Sequence, residues 1–553
     1  MKVYTYEILK KISKTKRARA FIEKVEEYYQ TTYQDKPIQA LSFRDYKRFW
    51  IDGNRYSYET AYFERRKRLF LLQVLAIHKN KYLEPLEEVL ATICDEYTWV
   101  VPAHSFSDID LFSAETGSYL AETLYIFKDK LSQKLKERIL SSLERKIISV
   151  FESQPVFHWE SYKNNWLSVC GCGIGLSYLY AFPERFESVK ERLFSLFKTF
   201  IEFGLDKEGY CSEGVNYWLY GVGSFCNFFD AYERMTGNRP DFIDCQTFKN
   251  TLQYLENARM QGDVYLPFAD GGYAKIIVNA LSVISIKSLY QKEFSFPKAE
   301  EILTGNKAVG LSYLYNLHAC KPQKKTNKDG SFYYQNSQVF IRKRKEYALA
   351  VKCGNNGEYH NHNDIGAFQI VRKEKRYICD VGAGLYTKEY FGGGRYEVFN
   401  CNSYSHSIPR VDKKPQSYGK EYAGKVVAVD KNSIAMDIAN AYENGPNELF
   451  VTYKTEEKKV SLSYTCVGAK EEIVFRFVSD LRPKIQNGKV WIEDMKISCN
   501  KEIAPTLSLQ KYYPHVPDRA NNEMKKATAF IIEYPFKLND ENTVTFDFDF
   551  NDL

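Results

Sequence analysis

No run of about 18 apolar residues occurs in this 553-residue sequence, so no membrane-spanning helix is expected. Its first residues, Met1-Lys2-Val3-Tyr4-Thr5-Tyr6-Glu7-Ile8-Leu9-Lys10-Lys11, place charges where the apolar core of a secretory signal would lie. Cytoplasmic residence is the expectation on that ground; periplasmic or secreted residence replaces it if the sequence begins after a processed leader. Paired cysteine motifs are lacking as well. Twelve cysteines spread over a chain of this length form no dense disulfide framework, and Cys170-Gly171-Cys172 has no second pair to complete a zinc ribbon. Most are expected to be buried thiols. Nor does one sign of charge dominate: 77 basic against 70 acidic residues leave +7, which is no nucleic-acid signature but suits an acidic substrate. Histidine is scarce too, with eight in the whole chain.

Tyrosine, by contrast, is plentiful. With 43 tyrosines and six tryptophans the chain carries many rings that stack and donate hydrogen bonds, which suits sugar surfaces as well as cores. Its length exceeds what one hydrophobic core supports, so two or three domains are expected. Over residues 1–305 apolar residues recur at helical spacing, as in Arg66 to Ala76, Leu111 to Phe127, Leu131 to Phe151 and Val189 to Phe203. Short breaks at Pro183 and Pro240 separate them, which predicts helical hairpins arranged as an (α/α) toroid or solenoid. A polar stretch from Lys321 to Gly330 closes a linker placed at 306–330. Beyond it the period becomes two, in Ser331 to Arg342, Tyr347 to Cys353, Ala367 to Val371, Arg376 to Val381, Leu449 to Tyr453, Val460 to Tyr464 and Thr543 to Phe550. Residues 331–553 are therefore expected to form an antiparallel β-sandwich, making the chain multidomain α+β.

Three segments of the helical half carry more polar residues than packing needs. In Ser161-Tyr162-Lys163-Asn164-Asn165-Trp166 the paired asparagines either cap a helix or offer one carboxamide to an anionic group. In the segment from Gly209 to Gly221, Tyr217 and Tyr220 stand three apart and share a helix face downstream of Glu213, as core or as chemistry. In Phe268-Ala269-Asp270-Gly271-Gly272-Tyr273 the Asp-Gly-Gly is a turn signature. The β half holds the densest cluster: Glu358-Tyr359-His360-Asn361-His362-Asn363-Asp364, then Asp380-Val381-Gly382, then Tyr404-Ser405-His406-Ser407. If residues 360–364 were extended, His360, His362 and Asp364 would face one side. Asp380 and His406 lie on following segments that pairing can bring beside His362, and two imidazoles with a carboxylate make three of the four ligands of a zinc ion.

With Asn164-Asn165-Trp166, Glu213 followed by Tyr217, His-Asn-His-Asn-Asp at 360–364, the aspartate 18 residues beyond the second histidine, and Ser405-His406-Ser407, the chain resembles the heparinase II/III-like polysaccharide lyases. The motifs cover roughly residues 100 to 420. The resemblance implies a lyase that cleaves uronic-acid-containing polysaccharide by β-elimination, with glycosaminoglycans such as hyaluronan, chondroitin or heparan sulfate favoured. It implies that Asn165 and His360 neutralise the uronate carboxylate and that Tyr217 is the catalytic acid, with Tyr220 its competitor. Trp166 stands where the family commonly has a histidine that is a base in some members; that route to proton removal is in doubt here.

The resemblance further implies a structural zinc ion on His362, Asp380 and His406. It separates His362 from His360 and so requires a bend between them. Trp166, Glu213 and the loop residues Tyr386, Tyr390, Arg395 and Tyr396 are expected to contact substrate, the loop ones with an ordinary surface loop as the alternative. The partner is an acidic polysaccharide, with no nucleic acid and no membrane span. Two rivals stay open: a non-catalytic carbohydrate-binding homologue, and a metal-dependent hydrolase in which the histidine cluster activates water.

Overall fold

The computed structural model describes residues 4–551 apart from 267, 272–279, 293–302, 304–310, 312, 313, 316–327, 516, 519–522, 525 and 538–542. The linker expected at 306–330 therefore lies mostly outside the described residues. Two compact units are present, and the chain passes between them more than once. The first comprises Met1–Leu205, Tyr217–Phe248 and Ile277–Lys324; the second Asp206–Asn216, Lys249–Ile276 and Lys325–Leu553.

The first unit is helical. Helices Tyr56–His78 and Leu83–Cys94 form one packed pair, and Leu111–Phe127, Asn165–Ala181 and Phe186–Phe203 pack in succession. The expected helix at Leu111 to Phe127 has those same bounds. That expected at Leu131 to Phe151 is broken into Gln133–Leu143, a wider turn at Glu144–Ile148 and Ser149–Ser153. Helix Asn165–Ala181 is buried on nearly every side, which explains its run of small residues. A Cβ on Gly173 would stand 2.4 Å from the Ala114 carbonyl carbon and oxygen, so glycine is what lets this helix touch the backbone of its neighbour. In helix Tyr56–His78 the cost of burying Arg65 and Arg66 is met by Glu96: Arg66 makes two bonds of 2.6 Å to its two oxygens, and Arg65 one of 2.9 Å.

The second unit is built of antiparallel sheets. A five-stranded sheet runs in sequence order through Gly330–Tyr334, Val339–Lys343, Tyr347–Lys352, Phe368–Arg372 and Lys375–Ile378. The stretch expected as one strand from Ser331 to Arg342 is thus a hairpin, turned at residues 335–338. An eight-stranded sheet centres on Glu448–Thr455, Lys459–Val467 and Thr543–Phe550, and a four-stranded one on Ala527–Lys537 and Glu472–Ser479. Alternation fixes the buried face of the large sheet: Val451 pairs with Tyr464, which pairs with Val544, and all three are buried. Phe340, Leu349, Phe368, Tyr453, Phe477, Phe546 and Phe548 join the sheets in one core.

Candidate functional site

In the second unit the polar residues converge on Asp270, a fully buried carboxylate. Its Oδ2 accepts from His360 Nδ1 at 2.6 Å and its Oδ1 from His362 Nε2 at 2.9 Å. Arg395 Nη2 lies 3.2 Å from both oxygens, and Tyr390 Oη donates to Oδ1. Burial alone would raise the Asp270 pKa; the Arg395 guanidinium and the two imidazole donors outweigh it and hold the carboxyl well below its ordinary range. Conversely, burial and then the Asp270 charge push the Tyr390 phenol well up. Because an ionised carboxylate only accepts, His360 donates from Nδ1 and His362 from Nε2. The other nitrogen of His360 stands 3.4 Å from Oε2 of the buried Glu213.

The bend between the two histidines is present. His360 has φ +55°, so the backbone turns at that residue and residues 360–364 are not extended. Arg395 clamps the turn through Nε and Nη2 to the Asn361 carbonyl oxygen, at 3.1 and 3.0 Å. Asp364 leaves the histidine face altogether and pairs with the buried Lys352 at 2.6 Å.

His362, Asp380 and His406 come together on the far side of His362. One ligand atom from each lies within 4.8 Å of the others, and all three residues are buried. His362 Nδ1, Asp380 Oδ2 and both ring nitrogens of His406 make no hydrogen bond among the described residues. His406 Nδ1 is 3.1 Å from Asp380 Oδ2, close enough for an ion pair but off the hydrogen-bond line. Orphaned buried lone pairs are costly, and a cation among them would satisfy all three side chains. The donor at His362 Nε2 also matches a metal ligand whose second nitrogen is oriented by a carboxylate. Burial would raise the Asp380 pKa, but His406 outweighs it and the net shift is downward. A second grouping, Asp270, His362 and Cys401, has similar spacing, but the Arg395 guanidinium already supplies its positive charge.

In the helical unit, Asn164 and Asn165 divide the two readings of the asparagine pair between them. Asn164 is the N-cap of helix Asn165–Ala181, its side chain accepting from Trp166 N at 3.1 Å. Asn165 is buried, and neither its amide nitrogen nor its carbonyl oxygen has a partner among the described residues. Helix Val215–Thr236, which carries Tyr217 and Tyr220, crosses close by: Ser168 Oγ donates to the Gly221 carbonyl at 2.7 Å, and a Cβ on Gly221 would lie 3.1 Å from Asn165 Cβ. Tyr217 and Tyr220 are both half-buried, and burial of the Tyr220 hydroxyl, then the Glu115 charge, push that phenol well up. Trp166, also half-buried, meets His104 edge-on at 4.9 Å between ring centres.

The loop residues divide. Tyr390 is fully buried and committed to Asp270, and Arg395 to Asp270 and the Asn361 carbonyl, so both build the site from within. Tyr386 stacks on His515 with ring centres 3.6 Å apart, and Tyr396 on Tyr418 at 4.9 Å; both stay partly open. Asp270 is the residue that sequence reasoning placed in a mere turn. Its only sequence signal is a carboxylate followed by two glycines, and its partners lie 90 to 125 residues downstream.

A helical unit followed by antiparallel sheets is the fold that the chain shares with solved heparinase and chondroitinase lyases. A crystal structure of heparinase III matches with a TM-score of 0.64 at 12% identity, covering 99% of this chain and 92% of that one. Heparan sulfate lyase HepC from Pedobacter heparinus matches at 0.57 and 13%, over 97% and 88%. Chondroitin AC lyase of Streptomyces coelicolor A3, in complex with chondroitin sulphate, matches at 0.56 and 8%, over 99% and 83%. At these identities the likeness establishes the fold. No protein-family model matches the sequence, and no curated protein does.

Proposed function

We propose that the chain is a polysaccharide lyase that cleaves uronic-acid-containing polysaccharide by β-elimination, with glycosaminoglycans such as hyaluronan, chondroitin or heparan sulfate as the favoured substrates. The observation that carries this is the buried, unpartnered carboxamide of Asn165. A buried amide with nothing to bond costs about 1–3 kcal/mol, and a substrate carboxylate in its reach recovers that cost. Abstraction of the C5 proton places a second negative charge on the uronate, so neutral and cationic donors at the carboxylate stabilise the enolate-like state as it forms. Asn165 has that role in this reading, and His360 is its imidazole counterpart. Tyr217 gives a proton to the glycosidic oxygen as the bond at C4 breaks, with Tyr220 as the alternative donor. Trp166, Glu213, Tyr386 and Tyr396 belong to the substrate contacts, while Tyr390 and Arg395 hold His360 through Asp270.

His362, Asp380 and His406 would hold zinc, whose charge would fix the turn that presents His360. A metal-dependent hydrolase would need an ion with an open position, and these three side chains are each no more than 2% exposed. The burial favours a structural ion.

Incubation with a panel of uronate polymers tests the reaction, since elimination creates a conjugated double bond that absorbs in the ultraviolet and hydrolysis creates none. A broad acidic panel without that signal sinks the lyase reading. Tyr217→Phe should remove the signal while the thermal melt stays unchanged; full activity moves the acid to Tyr220. Zinc content should fall to background in His362→Ala, and an unchanged content rejects this ligand set.

A further inference from the structure

The elimination needs a group to take the C5 proton, and the helical unit contains one that no motif points to. His104 ends the turn Pro102–His104 and is half-buried. Its Nδ1 lies 2.9 Å from Asp110 Oδ2. Asp110 is completely buried and cannot move: it caps helix Leu111–Phe127, its Oδ1 accepting from Ser113 N at 2.7 Å and its Oδ2 from Val101 N at 3.3 Å. The same Oδ2 already accepts from Val101 N, so it is an acceptor toward the imidazole too and His104 donates from Nδ1. That fixes the tautomer and leaves Nε2 with a free lone pair, the form a proton acceptor requires.

The rings around it fix the plane as well. His104 is stacked on Phe112, with ring centres 5.5 Å apart and planes inclined by 10°, and its edge meets Trp166. Trp166 follows Asn165 in the first turn of helix Asn165–Ala181, so His104 packs against the helix start that carries the Asn165 carboxamide. Phe106, His158 and Tyr162 extend the aromatic wall beyond Trp166 and would keep water from the imidazole when a sugar lies against it. Tyr220 is a poor rival as base, because burial holds its phenol protonated.

We propose that His104, oriented by Asp110, is the base of the elimination; the proposal rests on the lyase reading above. Nε2 takes the C5 proton, the C–H electron pair becomes the C4–C5 double bond, and the C4–O bond breaks with its electrons on the leaving oxygen, which receives the Tyr217 proton. Imidazolium then gives its proton to water and the phenolate is reprotonated, so the residues return to their starting forms.

The experiment compares wild type with His104→Gln and His104→Ala on a uronate polymer that the wild type cleaves. His104→Gln keeps a donor for Asp110 and should lower kcat by about 10²–10⁴-fold with little change in KM. Added imidazole and substituted azoles should restore kcat to His104→Ala in proportion to their basicity, which a role in packing would not produce. A His104→Gln enzyme with wild-type kcat, or a His104→Ala enzyme that is inactive and indifferent to azoles, overturns the assignment. A wild type that eliminates no polymer overturns the lyase reading itself and this inference with it. That result is distinct because it is seen before any substitution is made.

Discussion

Asp270 concentrates the second unit's chemistry in one side chain. Replacing it with asparagine removes an anion that faces a guanidinium and two imidazoles, and leaves the half-buried Arg395 beside a neutral group. A broken buried pair costs about 3–5 kcal/mol, so Asp270→Asn should lower the unfolding free energy by that order in denaturant melts, and should also lose turnover because His360 is no longer held. Equal stability in the two proteins would show that Arg395 finds another partner. The histidines themselves were legible in the sequence. Three of eight fall between residues 360 and 406, with aspartates between them, and the need for a bend between His360 and His362 followed from the different roles that the resemblance implies for the two. Asp270, His104 and the Lys352–Asp364 pair were not legible as partners. Hydrogen bonds that join residues 90 apart leave no local period or spacing to detect, and His104 sits six residues from its carboxylate in a turn with no motif.

Elements were more readable than their junctions. Helical spacing marked Leu111–Phe127 because its apolar face is uninterrupted, and period two marked Thr543–Phe550 because every second residue enters the core. The hairpin at residues 335–338 was missed because its turn, Gln335-Asn336-Ser337-Gln338, has no glycine or proline to mark it. Close packing between helices is equally invisible to periodicity, and Gly173 tests it. Alanine favours an isolated helix over glycine by about 1 kcal/mol, yet its methyl would meet the Ala114 carbonyl at 2.4 Å. Gly173→Ala should therefore destabilise by about 1–3 kcal/mol, measured as a lower midpoint in urea at unchanged slope; a stabilised variant would mean the two helices can separate at little cost.

For the β unit as a whole, Asp494 ties sheets together. It lies in the turn before Met495–Cys499 of the eight-stranded sheet and accepts from Arg372 Nε at 3.1 Å, Lys373 Nζ at 2.7 Å and Tyr377, all from the five-stranded sheet's end. Burial would raise its pKa, but those three donors bring it down to about 2. A depressed carboxyl stabilises the fold at pH above its unfolded value of about 3.9, and that contribution is lost as pH falls through the folded value. Asp494→Asn should accordingly lose about 2–3 kcal/mol at neutral pH, and the gap to wild type should close between about pH 4 and pH 2. A gap that is the same at both ends would assign the loss to packing.

The chain enters the β unit at 206–216 and again at 249–276 before its sandwich strands begin. This order has a consequence during synthesis. Asp270 and Glu213 leave the ribosome well before His360, His362, Tyr390 and Arg395, the groups that bond to them in the folded unit. A fragment cut at the apparent seam near residue 325 would carry Arg395 and both imidazoles without the Asp270 carboxylate that all three face. A β fragment begun at that seam should therefore fail to hold His360, because the segments that carry Glu213 and Asp270 stay with the other piece.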